Sequence, residues 1–176
     1  MDECRVPLLS DRDIPPPLIE AMRARLGDRD MPNLYRALAN APSMLGAWLD
    51  FAWRLRGEAT SSRATRELII LRVAQLLDAP YEWSHHVVMA RQAGVSERQI
   101  AELAEWSTSD AYDPVERAAI EMAEQQTNLG AASGQVISDL RRLTNEQATI
   151  ELVLTASFYN CVARLLNSLA IPQEKV

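Results

Sequence analysis

The chain contains few cysteines, glycines and histidines. Its 176 residues include two cysteines, six glycines and two histidines. Because neither cysteine belongs to a Cys-x-x-Cys spacing, the sequence offers no disulfide framework and gives no sign of an oxidising compartment. The scattered glycines form no glycine-rich phosphate loop, so nucleotide binding finds no support. Cys4 lies in the N-terminal segment, whereas Cys161 lies in an apolar helical pattern and is expected to be a small core residue.

Basic residues are also too few and too scattered to define an electrostatic binding surface. There are 18 Lys and Arg against 24 Asp and Glu, which gives a net charge of −6. Nucleic acids and anionic membranes both require clustered basic residues, so we expect neither as a partner. The acidic N-terminus lacks the apolar run of a signal peptide, and no segment approaches the roughly 20 apolar residues of a spanning helix. These observations favour a cytoplasmic protein.

The pattern that is present is helical. β-Branched runs are short, and no stretch alternates apolar and polar residues as a hairpin strand does. A chain of this length fits one domain with a sizeable core. We therefore predict an all-α fold, with an irregular N-terminal tail over residues 1–14 and one helical domain over residues 15–176.

Start and stop signals divide this domain into helices. Capping boxes, in which a polar side chain bonds the backbone three residues further on, are predicted at Ser96, Asp113 and Thr144. The last helix, which ends before Pro172, carries apolar residues on more than one face. A helix of this kind is buried in a core or at a subunit interface, which indicates a homo-oligomer.

The candidate chemistry lies in the middle of the chain, where both histidines stand side by side. Glu82 and His86 are four residues apart, so on a helix their side chains share one face. Glu67 belongs to the preceding helix, which ends at the break formed by Ala79 and Pro80. A turn this short allows Glu67 to face the same space as His86. Two carboxylates and an imidazole around one cleft can move protons, which suits decarboxylation, isomerisation or enolisation.

Plainer interpretations of these residues remain open. A glutamate and a histidine at this spacing often form a solvated surface pair, and Glu67 can be a salt-bridge partner of Arg63 or Arg66. A metal site is a weaker alternative, since adjacent histidines diverge on a helix and the His-x-x-x-His pair is absent. A serine hydrolase triad is unsupported because no strand–turn–helix elbow precedes the histidines.

Three neighbouring side chains are candidate substrate contacts. Trp83 can be a core residue or a wall of the substrate site. His85 points about 100° away from its neighbour on an ideal helix, so a surface or interface role is equally open. Arg72 can bind a substrate carboxylate or serve as a structural partner of Glu67 or Glu82.

Four segments carry a resemblance to a known family. They are residues 66–74 (RELIILRVA), 81–86 (YEWSHH), 90–96 (ARQAGVS) and 158–167 (FYNCVARLLN). Together they resemble the carboxymuconolactone decarboxylase family, which includes the alkylhydroperoxidase D-like proteins, over roughly residues 35–172. The resemblance implies an all-α subunit of the alkylhydroperoxidase D-like helical bundle type. It also implies a homo-oligomer, either a trimer or a hexamer, with the site near a subunit interface.

The resemblance also assigns positions. The family's peroxidase branch uses a glutamate, a Cys-x-x-Cys pair and a histidine in a proton relay. On this sequence the glutamate is Glu67 and the histidine is His86, whereas the two cysteine positions fall on Ala79 and Glu82. Without these thiols, thiol-based peroxide reduction cannot run here. The resemblance thus implies the decarboxylase-type branch, which needs no cofactor and no metal.

The resulting hypothesis is a cofactor-independent lyase or isomerase whose small-molecule substrate is a carboxylated lactone or another enolisable acid. In this hypothesis His86 is the general acid that protonates the carbon from which carbon dioxide leaves. Glu82 orients and tunes His86, and Glu67 relays a proton or holds a water. A peroxidase-like protein with altered chemistry is one alternative. Another is a non-catalytic binding or assembly protein, which would be favoured by Glu82 and His86 fully exposed to bulk water with no cavity beside them.

Overall fold

A computed structural model of the chain describes residues 4–174. Over these residues the fold is entirely helical, with nine α-helices, two short 3₁₀ helices and no strand, which confirms the all-α prediction. The α-helices are α1 (Pro16–Leu26), α2 (Asn33–Leu38), α3 (Pro42–Gly57), α4 (Arg63–Leu76), α5 (Pro80–Gln92), α6 (Glu97–Ala101), α7 (Pro114–Leu129), α8 (Gly134–Leu143) and α9 (Glu146–Leu169).

The described residues divide into two compact units. One unit contains residues 4–57 together with residues 166–174. The other unit contains residues 58–165, and all of the candidate site residues belong to it. The single helical domain over residues 15–176 stays a prediction.

The N-terminal segment forms specific contacts within the first unit. Asp11 lies in a 3₁₀ turn and pairs with Arg23 and Arg36 at 2.7 and 2.9 Å. These charges outweigh the effect of burial and lower the pKa of Asp11. The irregular tail predicted over residues 1–14 is therefore bonded to helices in its described part, and residues 1–3 lie outside the described residues.

Helix α4 is the most buried element of the second unit. Every residue from Thr65 to Ala74 is buried, and the helix packs against both α5 and α7. A helix surrounded on all sides is expected to be apolar all round, yet α4 places Arg66, Glu67 and Arg72 inside the protein. Because a buried charge is costly unless it is paired, each of these side chains needs a partner nearby.

Two of the three predicted capping boxes are confirmed and one is wrong. Ser96 and Asp113 both form complete boxes at the start of their helices. At α9, however, Asn145 is the capping residue, and its Oδ1 accepts a hydrogen bond from the backbone N–H of Ala148 at 2.9 Å. Thr144 cannot serve as the cap because it ends α8, where its hydroxyl donates to a carbonyl of the last turn.

Helix α9 is a core helix with one exposed face. Its length and composition alone would allow it to cross a membrane, so the expectation that no segment approaches this length is too strict. Half of its most apolar stretch is nevertheless buried inside the protein. Its buried face includes Leu152, Ala156, Tyr159 and Ala163. Cys161 lies opposite this face and is exposed, so the expectation of a core cysteine is wrong.

Candidate functional site

The acid–base residues are brought together by α4 and α5. Ser62 caps the first turn of α4, and Pro80 occupies the first position of α5. The three residues between the helices make a tight turn in which Asp78 takes a positive φ of 47°. Because the connection is short, the two helices pack against each other, and Glu67 of α4 reaches His86 of α5.

Both ring nitrogens of His86 are bonded to carboxylates. Nδ1 lies 2.7 Å from Oε2 of Glu67, and Nε2 lies 3.0 Å from Oε1 of Glu82. Glu67, Glu82 and His86 are 0%, 3% and 2% exposed. This burial is incompatible with the solvated surface pair considered from the sequence. We refer to these three side chains as the carboxylate–imidazole cluster.

The cluster is arranged to hold a proton. Burial by itself favours the neutral imidazole and lowers the pKa of His86. The hydrogen bonds and negative charges of Glu67 and Glu82 outweigh this effect, so the pKa of His86 is raised above its ordinary value of 6.5. A protonated ring has two N–H donors, and here each donor faces its own carboxylate acceptor.

Arg63 completes the cluster on the side nearest to solvent. Its guanidinium forms an ion pair with Oε1 of Glu67, one turn further along α4. The Arg63 side chain is 31% exposed, whereas that of Glu67 is 0% exposed. Nη2 of Arg63 also lies 3.9 Å from Sδ of Met89 on α5. Glu67 is thus both a salt-bridge residue and a histidine partner, with one oxygen used for each contact.

A second group of contacts surrounds the cluster. Arg66 donates to the carbonyl and hydroxyl oxygens of Ser61, and Glu151 of α9 accepts from the backbone N–H of Ser61 at 2.7 Å. Burial raises the pKa of Glu151, but its hydrogen bonds outweigh this effect and hold that pKa at about 2. Tyr159 of α9 packs edge-on against the ring of His86, with ring centroids 5.0 Å apart.

Sequence reasoning did not assign Tyr159 to the site, and it named Arg63 only as a possible salt-bridge partner of Glu67, an ion pair that the structure confirms. For Arg63 a signal was present, because it is four residues before Glu67 and α4 was predicted as a helix. For Tyr159 the signal was its place on the apolar face of α9, within the segment similar to the family's last helix. The sequence alone did not show how close α9 lies to α5.

Two candidate substrate contacts make other contacts in the structure. Trp83 is partly buried and packs against a core cluster that includes Leu68 and Ile120, as its core interpretation requires. His85 stacks on Tyr81, with ring centroids 4.6 Å apart and planes inclined by 13°. Whether either residue touches a substrate stays a prediction.

Arg72 is held at the far end of α4 from Arg63. Its Nη2 and Nε lie 2.6 and 3.0 Å from Oε2 of Glu124 on α7, and its Nη1 contacts Gln75. The carboxylate that Arg72 binds is therefore Glu124. These contacts support the structural interpretation of Arg72, with a partner that the sequence did not indicate.

A groove of about 410 Å³ lies elsewhere in the same unit, between α8 and α9. No residue of the carboxylate–imidazole cluster lines it. Its walls are mainly apolar and are formed by Ile137, Arg141, Glu146, Thr149, Ile150, Val153 and Leu154. Within residues 4–174 no group of three or more His, Cys, Asp and Glu side chains is placed to hold a metal ion.

Known structures define the class to which this fold belongs. The fold is similar to an alkylhydroperoxidase D core, a peroxidase-related protein of Ralstonia eutropha JMP134, with a TM-score of 0.82 and 16% identity over 97% of this chain and 92% of that one. It is also similar to a cysteine-to-alanine variant of the debrominase Bmp8 in complex with 2,3,4-tribromopyrrole. That TM-score is 0.81, with 22% identity over 99% of this chain and 93% of the other. The chain therefore has the alkylhydroperoxidase D-like fold.

Sequence comparison gives the family. Residues 42–125 match the carboxymuconolactone decarboxylase family. The chain is also 30% identical over 110 residues to the uncharacterized protein YdfG of Bacillus subtilis (strain 168), a match over 61% of this chain and 75% of that protein. The chain belongs to the carboxymuconolactone decarboxylase family, which confirms the resemblance found in the sequence.

Proposed function

We propose that this protein is an acid–base enzyme, a cofactor-independent lyase or isomerase that protonates or deprotonates carbon in a small carboxylated lactone or similar enolisable acid. The observation that carries the proposal is the burial of one imidazole between two carboxylates, at 2.7 and 3.0 Å. Perturbed titratable groups held together away from water are typical of sites that transfer protons.

The three side chains take different roles in this proposal. Glu67 accepts from Nδ1 of His86 and so fixes which ring nitrogen carries the exchangeable proton. The exchangeable proton then lies on Nε2, on the side of Glu82. Glu82 orients the ring and keeps it charged until the proton is needed.

A decarboxylation at this site balances with one proton. The bond between the carboxylate carbon and the adjacent carbon breaks, carbon dioxide leaves, and the electron pair remains on the substrate as an enolate. His86 then donates its proton to the carbon that lost carbon dioxide, and the neutral imidazole regains a proton from solvent. In an isomerisation the same group removes a proton from one carbon and returns it to another.

Peroxidase chemistry has less support at this cluster. Two structures of this fold are described as peroxidase-related, but their identities of 20% and 16% make them informative about the fold alone. Ala79 and Glu82 occupy the two positions where the peroxidase branch has cysteines. An assay of peroxide consumption with a dithiol distinguishes the two functions, since the proposed enzyme consumes no peroxide.

A purely structural role is disfavoured by burial. The non-catalytic alternative would be favoured by Glu82 and His86 in bulk water with no cavity beside them, and the first of these two conditions is not met because both side chains are nearly inaccessible. Removing several charges from water is costly, and the proposed acid–base role gives a reason for that cost.

Carbon dioxide release from a panel of small lactone acids and β-keto acids is the direct test. We expect release from at least one compound by the wild-type protein, and none above background by His86→Ala with its oligomer intact. Arg54→Gln, which removes an exposed ion pair on α3, is the matched control and retains activity. Release at the wild-type rate by His86→Ala would falsify the role of His86.

We also propose that the protein is a homo-oligomer, a trimer or a hexamer. Ile150 and Leu154 of α9 are 59% and 39% exposed, and both line the apolar groove beside α8. A second copy of the chain would cover such a surface. Light scattering at micromolar concentration is expected to give a mass of three or six chains, and a monomer would refute the proposal.

A further inference from the structure

Solvent exposure increases along the chain of contacts that leads from the cluster to Arg63. Glu82, His86 and Glu67 are almost inaccessible, and the next group in the chain of contacts, Arg63, is 31% exposed. Glu67 joins the two parts, because its Oε2 bonds His86 and its Oε1 pairs with Arg63. Any change of charge at Arg63 therefore acts on His86 through a single buried carboxylate.

The charges around His86 come from three helices. Helix α4 contributes Arg63, Arg66 and Glu67, and α5 contributes Glu82. Helix α9 contributes Glu151, which is bonded to the same Ser61 that binds Arg66, and the neutral phenol of Tyr159.

The positive and negative charges of these side chains sum to zero when the imidazole of His86 is protonated. Arg66 and Glu151 form one balanced pair through Ser61. The two cluster carboxylates are then matched by Arg63 and by the imidazolium of His86. When the imidazole is neutral, one negative charge is left over in a buried place, which favours the return of a proton.

We propose that Arg63 is a positioning residue that balances the charge of the carboxylate–imidazole cluster, so that Arg63 and the cluster together are neutral when His86 is protonated and carry one negative charge when it is not. Arg63 does not touch the reacting carbon in this proposal and acts through Glu67. It limits the proton affinity of His86, so that the ring can release its proton during turnover. This catalytic consequence rests on the proposed function, whereas the charge balance itself does not.

The consequence for a substrate follows from the same balance. A carboxylated substrate is an anion, and a buried site with net negative charge repels it. When His86 is protonated, the cluster and Arg63 together are neutral and do not repel the anion. Without Arg63, the protonated cluster carries one negative charge and binds the anion more weakly.

The test uses the small number of histidines in this chain. Because there are two histidines, imidazole NMR signals of the full-length protein can be followed from acidic to alkaline pH, and His85→Gln identifies the signals of His86. The variants are Arg63→Gln and Arg63→Met, which remove the charge, and Arg63→Lys, which keeps it. Arg54→Gln removes an arginine that pairs with Asp50 at the same four-residue spacing outside the site.

We expect the midpoint for His86 to rise by about one pH unit in Arg63→Gln and Arg63→Met, which is about tenfold in proton affinity. Arg63→Lys and Arg54→Gln should stay close to the wild-type midpoint. A structural role alone predicts the opposite sign, because a loosened site admits water and returns the midpoint toward 6.5. A fall, or no change in either charge-removing variant, would overturn the inference.

An activity measurement separates this inference from the proposed function. If a substrate is found, Arg63→Gln should raise KM for the anionic substrate. It should also shift the alkaline limb of the pH–activity profile to higher pH, and Arg63→Lys should restore both values. A rise in the NMR midpoint without any carbon dioxide release would support the charge balance and count against the proposed function. Carbon dioxide release that depends on His86, together with a lowered NMR midpoint in Arg63→Gln, would support the proposed function and count against the charge balance.

Discussion

Two of the buried charged side chains of helix α4, Glu67 and Arg72, differ in what surrounds them. Near its start, Glu67 shares the imidazole of His86 with a second carboxylate. Five residues later, Arg72 meets Glu124 of α7 in a two-point contact at 2.6 and 3.0 Å. Oε2 of Glu124 also accepts from the indole N–H of Trp106 at 2.9 Å.

The difference between the two groups separates a structural ion pair from a proton site. Burial raises the pKa of Glu124, but Trp106 and Arg72 outweigh it and lower that pKa, so the pair stays ionised through the neutral range. The cluster at His86 contains an imidazole whose pKa is raised despite its burial, because Glu67 and Glu82 both accept hydrogen bonds from the ring. The same helix thus carries an ionised structural contact at one end and, in the proposed function, the exchangeable proton of His86 at the other.

The largest difference between the two groups should appear in kcat when one side chain is removed from each, His86 from the cluster and Arg72 from the ion pair. On any acid that the protein decarboxylates, we expect His86→Ala to lose about 10²–10⁴ in kcat, the usual contribution of general acid catalysis. Arg72→Met should stay within about threefold of wild type, since a structural contact acts on stability rather than on the proton transfer.

Steady-state kinetics on folded, oligomer-matched samples checks this prediction. Circular dichroism and light scattering of each variant are the controls for folding and assembly. A loss of kcat in Arg72→Met as large as that in His86→Ala would show that Arg72 belongs to the site after all.

The free energy of unfolding should fall in Arg72→Met, although its turnover stays close to that of the wild type. Arg72→Met removes the charged partner of Glu124, whose side chain is 32% exposed and keeps its bond to Trp106. Hydrogen bonds to charged groups contribute about 1.5–3 kcal/mol, and partial exposure reduces this, so we expect a loss of about 1–2 kcal/mol in the free energy of unfolding.

Urea unfolding monitored by circular dichroism measures this loss. Arg54→Met is the control, because its ion pair with Asp50 lies at the surface and should contribute little. An Arg72→Met variant as stable as the Arg54→Met control would mean that α4 and α7 are held together by apolar packing alone.

Much of this arrangement could be predicted from local sequence. The helix bounds followed from caps and prolines, and Glu82 with His86 followed from the four-residue spacing on one helix. Glu67 could be placed near them because the break at Ala79 and Pro80 leaves room for only a short turn. Each of these inferences depends on residues that are close in the chain, for which geometry is nearly fixed.

The errors arose where distant parts of the chain decide the outcome. The partner of Arg72 is Glu124, 52 residues further on, and no spacing rule connects them. Cys161 is exposed because packing selects one face of α9, while the sequence of α9 is apolar on several. Thr144 failed as a cap because two adjacent helices compete for the same residues, and α8 uses Thr144 to end.

The smallest expected difference between the two groups is in how the free energy of unfolding depends on pH. Because the pKa of His86 is raised on folding, its contribution is fully present below the unfolded value of about 6.5 and is lost as the pH rises through the folded value. We therefore expect the free energy of unfolding of the wild-type protein to fall from pH 6 toward alkaline pH. In His86→Gln this fall should be reduced, since the remaining residue does not titrate, whereas Arg72→Met should keep the wild-type slope despite its lower stability. Urea midpoints measured at intervals between pH 6 and pH 9 provide the comparison, and equal slopes in His86→Gln and wild type would show that the protonation of His86 is not coupled to folding.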